Sequence, residues 1–577
     1  MTALLLLASL ASVLAEDQVP LTAPTDIWTT LSTRFGDRAV KAAPFAEPCF
    51  TNITSPECLS VQELYQNEKT RTAQASGYTW GQWETCQKTG AQCLLDFAVP
   101  TDPAAASAPN TCERGSIPDY FIDVRGPEDV IGAFEFSKET GIPLVVKNTG
   151  HDFKGRSSGR NSVALWTHNL KDISYDPAFV AEGCTDAYPG VTAAAGVQFF
   201  EAFQFAEEHN ITLVGGSDAT VGLTGGFTMG GGHGVLSPVL GLGVDRVLQY
   251  KIVTPDGKYR TANACQNEDL FFALRGGGGG TFGVVLEATI LAGPAAPVQV
   301  LVLTWPPTAR SPARTEALWS LISEHMIEWA DAGWGGYTMP ELALFVTQRL
   351  SKEEAEKSMA PLLAFGESLK AEGVEGAMAM TMEFPSFLPF FQSFMTDAGG
   401  NAGAGKVGYS VSLTSRLVRR SSFATAASRK ELVDALMAAS GLPAPDAPLM
   451  IIQITGPTAT RAGDLAPGRT SVTPAWRDAV YHVTSMGMWN WNATKEDITG
   501  VYDRTSRLMD HVRKVTPDSG AYLNEADVYE PNHEVSFWGD HYPELATIKM
   551  KYDPDRLLDC WQCVGWNPDS ERYACYL

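Results

Sequence analysis

Lys147-Asn148-Thr149-Gly150-His151-Asp152 closes an apolar run, Leu144-Val145-Val146, and opens a loop rich in Gly, Ser and Arg that passes Ser157 and ends at Gly159. A neutral imidazole is a nucleophile, a base or a metal ligand. His151 has no second histidine in its loop, and a solitary loop histidine is by itself an ordinary surface residue. Two further loops change its setting. Residues 215–234 read GGSDATVGLTGGFTMGGGHG, and residues 275–283 read RGGGGGTFG. Glycine admits positive φ and close backbone approach, and clustered N–H groups form nests that hold phosphate oxygens. One such loop fits a plain turn. Three, each beside a strand-like run, point to a large phosphate-bearing cofactor laid across several loops.

Other chemistries fit less well. No Gly-Lys-Ser/Thr follows a glycine run, so a P-loop is excluded, and no run has the context of a Rossmann fingerprint. The nine histidines are scattered, with no two closer than the eight positions between His533 and His541. HExxH and Cys/His zinc spacings are absent, so the expected site contains no metal. The net charge of −23 argues against nucleic acid and anionic membranes, both of which need basic patches.

The elements that must position these loops have a readable grammar. IPDYFIDV reads as a strand, and Gly126-Pro127-Glu128-Asp129 then starts a helix that Gly141 stops. Proline suits the first turn and the acids suit the helix dipole. IPLVVKN is the next strand, completing a strand–helix–strand unit with His151 just beyond it. SVALW, VTAAAGV and ITLVGG read as strands, QFFEAFQFAEEHN as a helix, and LQYKIVTPDGKYRTANA as a hairpin around Pro-Asp-Gly. Beyond the Pro/Ala-rich AGPAAPVQV the chain changes to longer amphipathic helices between strand-like runs, with DAGGNAGAGK (397–406) a candidate mobile loop.

The expected organisation is a leader at 1–15, a disulfide-rich extension at 16–115, a cofactor domain at 116–295, a substrate domain at 296–515 and a return to the cofactor domain at 516–577. The fold class is α+β, a two-part cofactor domain with an inserted α+β domain. The leader ends in small residues and resembles a secretory signal, although it lacks Lys and Arg. Ten cysteines suit an oxidising compartment, with connectivity open and CWQC (560–563) read as a structural disulfide. Asn52, Asn210 and Asn492 head glycosylation sequons. Together these predict a secreted glycoprotein, expected to be monomeric.

The string from Lys147 to Asp152 resembles the flavin-attachment loop of the vanillyl-alcohol-oxidase superfamily, and is most similar to its berberine-bridge-enzyme-like group. GGSDATVGLTGG, MGGGHG, LGVDRVLQYKIVTPDG, ALRGGGGGTFGVV and WGDHYPELATIKMKYDP extend the likeness. YTWGQWETCQKTGAQCLLD and AYLNEADVYEPN look like the fungal isoamyl-alcohol-oxidase-type branch. The likeness covers most of 80–295 and 515–560 and is weak over 300–500. It implies FAD, attached covalently through His151. Some members add a second link through a Cys in a Cys-Pro-Thr-Val-like string. Here the string reads Asp218-Ala219-Thr220-Val221, so a single link is expected.

The implied cofactor contacts are Lys147, Asn148, Thr149, Gly150, Asp152 and Ser157, then Gly216, Ser217, Asp218, Val221, Gly222, Gly226 and Gly232, then Gly283, Val284 and Tyr542. Val at position 221 goes with oxygen use in the family. The implied reaction passes hydride from a substrate C–H to flavin while a base takes the adjacent O–H proton. Candidate bases or partners are Tyr522, Glu525, Asp527 and His233, with a solvated strand carboxylate and a packing histidine as the plain alternatives for Glu525 and His233. The expected partners are a small molecule and O2, with an alcohol as donor. A carbohydrate or secondary-metabolite oxidase or dehydrogenase of the same family, or a flavin-carrying glycoprotein with little turnover, is the alternative.

Overall fold

The computed structural model describes residues 25–396, 407–444 and 446–577. The leader 1–15 and the loop 397–406 lie outside them. The first sheet contains β1 (Ala39–Lys41), β2 (Tyr120–Asp123), β3 (Leu144–Lys147) and β4 (Val163–Trp166), in the order β1-β2-β4-β3. β2, β4 and β3 are parallel, and all four residues of β4 are buried, which explains its unbroken apolar run. The helix Pro127–Thr140 joins β2 to β3 and ends at Gly141, whose φ of 74° suits glycine. β4 lies between the two strands of the unit read from sequence, and β3 delivers the His151 loop from its C-terminal end.

The second sheet uses β5 (Ile173–Val180) and β6 (Ala187–Ala194). The two-residue β7 (Ile211–Thr212) stands apart. β8 (Val247–Thr254), β9 (Lys258–Asn263) and β10 (Val284–Leu291) complete an antiparallel order β5-β6-β10-β8-β9, and β11 (Gly293–Pro294) pairs with β7. ITLVGG is therefore a strand only in its first two residues. The chain leaves the ladder before Gly215, whose close packing on Phe199 and Phe203 leaves no room for a Cβ.

The third sheet is antiparallel and seven-stranded. It comprises β12 (Val298–Thr304), β13 (Gly335–Met339), β14 (Leu342–Thr347), β15 (Met378–Phe384), β16 (Ser410–Arg419), β17 (Leu449–Ile454) and β18 (Ala479–Trp489), in the order β15-β12-β14-β13-β17-β18-β16. Alternation along its strands gives each face its own core. Leu301, Leu303, Phe345, Ile452 and Val483 pack with Trp319, Trp329 and Leu436 from the helices Pro312–Asp331 and Ala426–Ser440. Trp334 is fully buried in that core. Val298, Val300, Val302, Leu344 and Val346 pack on the opposite side, with Phe199, Phe203 and Tyr250 of the second-sheet region.

The C-terminal segment stitches this assembly together. Trp538 Nε1 donates to the Gly276 carbonyl at 3.1 Å, and Lys549 Nζ donates to the Thr281 carbonyl at 2.7 Å and to Asp553 at 2.6 Å. The 275–283 loop is thereby anchored at Gly276 and Thr281, from the short helix His533–Trp538 and the helix Tyr542–Tyr552. All ten cysteines are paired, as 49–58, 86–575, 93–112, 184–265 and 560–563, and none is free. The 86–575 bridge ties the N-terminal extension to the C-terminus. Asn52, Asn210 and Asn492 are exposed.

Candidate functional site

The three glycine loops meet along one seam. A Cβ added to Gly279 would lie 3.1 Å from Gly226 Cα, one on Gly280 would lie 3.3 Å from Val146 Cβ, and one on Gly222 would lie 2.1 Å from Asn148 Oδ1. Gly226 itself is exposed within a buried stretch, and a Cβ there would meet nothing within 4 Å. The seam is thus backbone-lined and opens onto free space at Gly226, a cradle that suits close approach by a flat ring or a pyrophosphate. Asn524 borders it, donating to the Gly226 carbonyl at 2.7 Å and to Tyr522 Oη at 2.9 Å. Arg156 reaches Asn524 Oδ1 at 3.1 Å. FAD fits this setting.

His151 sits at one end of it. Trp80 Nε1 donates to its carbonyl at 3.0 Å, and its ring Nε2 lies 2.6 Å from Thr220 Oγ1. Thr220 Oγ1 in turn lies 3.2 Å from Asp218 Oδ1 and 3.3 Å from Glu68 Oε2. Two carboxylates draw the hydroxyl proton, so Oγ1 accepts from Nε2–H and the lone pair falls on Nδ1. Burial lowers the pKa of the ring, Asp218 opposes that and Lys147 adds to it, so the imidazole is neutral near pH 7. A neutral ring with an unprotonated nitrogen is the nucleophilic form.

The second chemical cluster forms where the third sheet meets the loop at 215–234. Glu525 Oε1 lies 3.2 Å from His233 Nε2, and Oε2 lies 3.7 Å from His482 Nδ1 and 3.4 Å from Gln453 Nε2. The rings of His233 and His482 are 4.8 Å apart, and Trp476 and Tyr522 complete the cage. Burial alone would raise the Glu525 pKa, but His233, His482 and Gln453 bring it down to about 2, so it is a carboxylate. Burial, with His233 beside it adding to the effect and Glu525 opposing it, lowers His482 to about 3, so it is neutral. His233 Nδ1 and both nitrogens of His482 are buried without a hydrogen-bond partner among the described residues. Tyr522 accepts from Gly232 N–H at 3.1 Å, and burial and Glu525 together raise its pKa, which leaves it a phenol.

The structure brings His233, Tyr522 and Glu525 together and sends Asp527 elsewhere. Asp527 is buried against Arg513 at 3.5 Å and caps Tyr529 N–H, so it is a structural carboxylate and not a base at the cluster. Tyr542 also departs from expectation. It lies against Trp538 and its hydroxyl accepts from Gly565 N–H at 3.4 Å, within the C-terminal packing. Gly283 and Val284 are packing residues, because a Cβ on Gly283 would strike the Val253 carbonyl at 2.6 Å and Val284 is fully buried. Lys147 turns away from the seam to the Gln74 carbonyl and the Tyr78 ring, and burial lowers its pKa to about 7.

The remaining loop positions divide by contact. Asp152 pairs with Arg156, the Gly150 carbonyl accepts from Thr79, the Ser157 carbonyl accepts from Tyr78, and Thr149 is buried. These four brace the His151 turn. Asn148, Gly222 and Gly226 line the seam, Asp218 backs Thr220, and Gly232 holds Tyr522. Gly216 and Ser217 follow beside Phe227 and Tyr337, and Val221 is half-buried on the adjoining core.

Sequence reasoning missed Glu68, Thr220, Gln453 and His482. Glu68 comes from the helix Glu68–Thr72 of the extension, where nothing local marks it. His482 had a signal, because period-2 alternation in β18 places it with Thr484, Met486 and Met488 on one face. The fold also assembles two sets with the composition of a cation site, His233/His482/Glu525 and Glu68/His151/Asp218, each with ligand atoms within 4.8 Å. Sequence spacing shows neither.

A family model described as FAD binding domain matches residues 118–263, and one described as berberine and berberine like matches 521–564. The FAD-linked oxidoreductase ffsJ of Aspergillus flavipes is 36% identical over 582 residues, covering 94% of this chain and 93% of the relative. A solved VAO-type flavoprotein of Myceliophthora thermophila C1 matches with a TM-score of 0.80 at 24% identity, over 96% of this chain and 98% of its own. The glucooligosaccharide oxidase of Acremonium strictum, which carries a 6-S-cysteinyl, 8α-N1-histidyl FAD, matches with a TM-score of 0.62 at 18% identity, over 78% of this chain and 92% of its own.

Proposed function

The chain belongs to the FAD-linked oxidoreductases of the vanillyl-alcohol-oxidase type with a berberine-like C-terminal element, and from that premise we propose that it is a secreted alcohol oxidase holding its flavin through His151 alone. The observation that carries the attachment is the neutral His151 ring, oriented by Thr220 and two carboxylates at the end of the glycine seam. The histidyl link of the similar glucooligosaccharide oxidase supports it. Asp218 stands at the place of a second anchor, and all cysteines are paired, which supports one link. Five disulfides and three exposed sequon asparagines support secretion, and no described helix is long and apolar enough to cross a membrane.

Bound FAD supplies the hydride acceptor. The chain supplies the proton path and the alignment. The Glu525 carboxylate, whose side chain keeps about a quarter of its surface exposed, takes the hydroxyl proton of the donor. The fully buried His482 ring packs beside it, and His233, bonded to Oε1 of that carboxylate, fixes the Glu525 rotamer. Tyr522 stays protonated and, through Gly232 and Asn524, holds the loop of the seam against this cluster. O2 is the electron acceptor, with the small Val221 side chain leaving it room. Acid-precipitated protein is expected to stay yellow, and His151→Ala to release the colour. A white wild-type pellet would refute attachment. Peroxide release on an alcohol panel tests the oxidase reading, and its absence with every donor refutes it.

A further inference from the structure

The cofactor-side face of the third sheet carries an apolar track that ends at the His482 cluster. Register fixes its composition. Met380, Val302, Leu344, Tyr337, Gln453 and His482 are successive partners across six strands, a row of roughly 24 Å at ~4.8 Å per strand, in which Val302 and Leu344 are packed into the core. The next row outward holds Met378, Thr304, Leu342 and Met339, and Leu449 pairs with Met486 farther out on β17 and β18. Every residue on this face from β15 to β18 in these rows is uncharged.

Its outer part is open. Met378, Met380, Leu449 and Met488 are 41%, 40%, 43% and 45% exposed, while Met339, Leu342, Ile451 and Met486 are half-buried. Exposed apolar area of this kind marks a binding surface, and methionine adapts to irregular hydrocarbon shapes. The opposite face of the same strands is covered by helices except along β15, where Glu383 is exposed and Ala379 and Thr381 are half-buried. The exposed apolar side chains lie on the side that leads, two residues at a time along β17, from Leu449 through Ile451 to Gln453 and Glu525.

We propose that the outer part of this track receives the hydrocarbon body of an apolar alcohol whose hydroxyl lies at Glu525. The inference rests on the oxidase reading for the identity of the polar end, and on the register alone for the apolar body. A sugar is a poor occupant, because its hydroxyls would lie unpaired against Met, Leu and Ile. Each buried unpaired hydroxyl costs about 1–3 kcal/mol. A hydrocarbon chain has no such penalty, and its affinity rises with each buried CH2.

The flavin-loaded protein can report occupancy through its own absorbance. Titration with 1-butanol, 1-hexanol, 1-octanol and 1-decanol is expected to give a Kd that falls by up to about fourfold per added CH2. Glucose and cellobiose are expected to give weaker perturbation than decanol. Met380→Glu and Met488→Glu, both at exposed positions, should flatten that dependence while leaving the unliganded flavin spectrum unchanged. No chain-length dependence in the wild type, the same slope in both variants, or tighter binding of the sugars would overturn the inference. So would variants that change only the oligomeric state, which would make this face a contact between copies. Chain-length-dependent binding without peroxide sinks the oxidase reading and leaves this one standing. Peroxide from sugars with no alkanol response does the reverse.

Discussion

Thr220→Val is the sharpest probe of the attachment site, because it removes one oxygen and leaves the β-branched shape. Thr220 is fully buried, and its Oγ1 is the 2.6 Å partner of His151 Nε2. Without it the Nε2–H faces a methyl group, and a buried donor left unsatisfied costs about 1–3 kcal/mol. Asp218 Oδ1, at 3.5 Å from Nε2, takes over part of that bond, so the lower half of the range applies. The loss falls on the tautomer that leaves Nδ1 unprotonated, and ~1.4 kcal/mol is a tenfold change in rate. Covalent incorporation should therefore slow by about five- to thirtyfold. The assay adds FAD to flavin-free protein, quenches in acid at intervals and reads flavin fluorescence in the denatured band. Thr220→Ser, which keeps the oxygen, should attach close to the wild-type rate. Reversible FAD binding should persist in the Val variant, because the seam at Gly222, Gly226 and Gly279 is untouched. If Val attaches as fast as Ser, the hydroxyl does not orient the ring and the reasoning fails.

Three further outcomes are expected. Glu525→Gln should lower the rate of anaerobic flavin reduction by about a hundredfold or more, in the range of a lost general base, with the bound flavin spectrum preserved; rapid-mixing absorbance checks it. His482 has a folded pKa of about 3 against an ordinary 6.5, so its neutral form adds stability above pH 6.5 that is lost progressively as pH falls toward 3; the melting temperature of His482→Asn should accordingly fall less than that of the wild type between pH 7 and pH 4. Lys549→Ala leaves buried Asp553 uncompensated and unties the Thr281 carbonyl, and should cost about 3–5 kcal/mol in denaturant unfolding, with weaker FAD retention by the 275–283 loop.

What the sequence disclosed depended on whether the signal was local. The strand–helix–strand unit before His151 was legible because Pro127, the first-turn acids and Gly141 punctuate it within thirty residues. The glycine loops were legible because glycine runs are rare where no close approach is needed. Their meeting at Gly226 was not, since nothing in 275–283 states that it will lie on 215–234. Asp527 was misread for a related reason. It is two residues from Glu525, but it lies in an irregular turn that aims it at Arg513, so proximity in sequence carried no information about shared direction. Gly283 was assigned to the cofactor as the last residue of a glycine loop, yet its missing side chain serves the packing of β10 on β8.

Asp218 gained most from three dimensions. In sequence it marks only what is absent, a thiol able to make a second link. In the fold its carboxylate stands with Glu68 beside Thr220 Oγ1, at 3.2 and 3.3 Å, and sets which nitrogen of His151 holds the proton. One position therefore bears on both the number of links and the readiness of the link that remains. Glu68 reaches it from the disulfide-stapled extension, which pairs through β1 with the first sheet and through Cys86–Cys575 with the C-terminus. The extension is thus part of the attachment site, and a truncation before residue 80 would remove one of the two carboxylates that polarise the relay. The same logic governs the other end of the seam, where His482, Glu525 and His233 come from three separated segments. Chemistry at either end depends on carboxylate–histidine pairs that no local motif spells out.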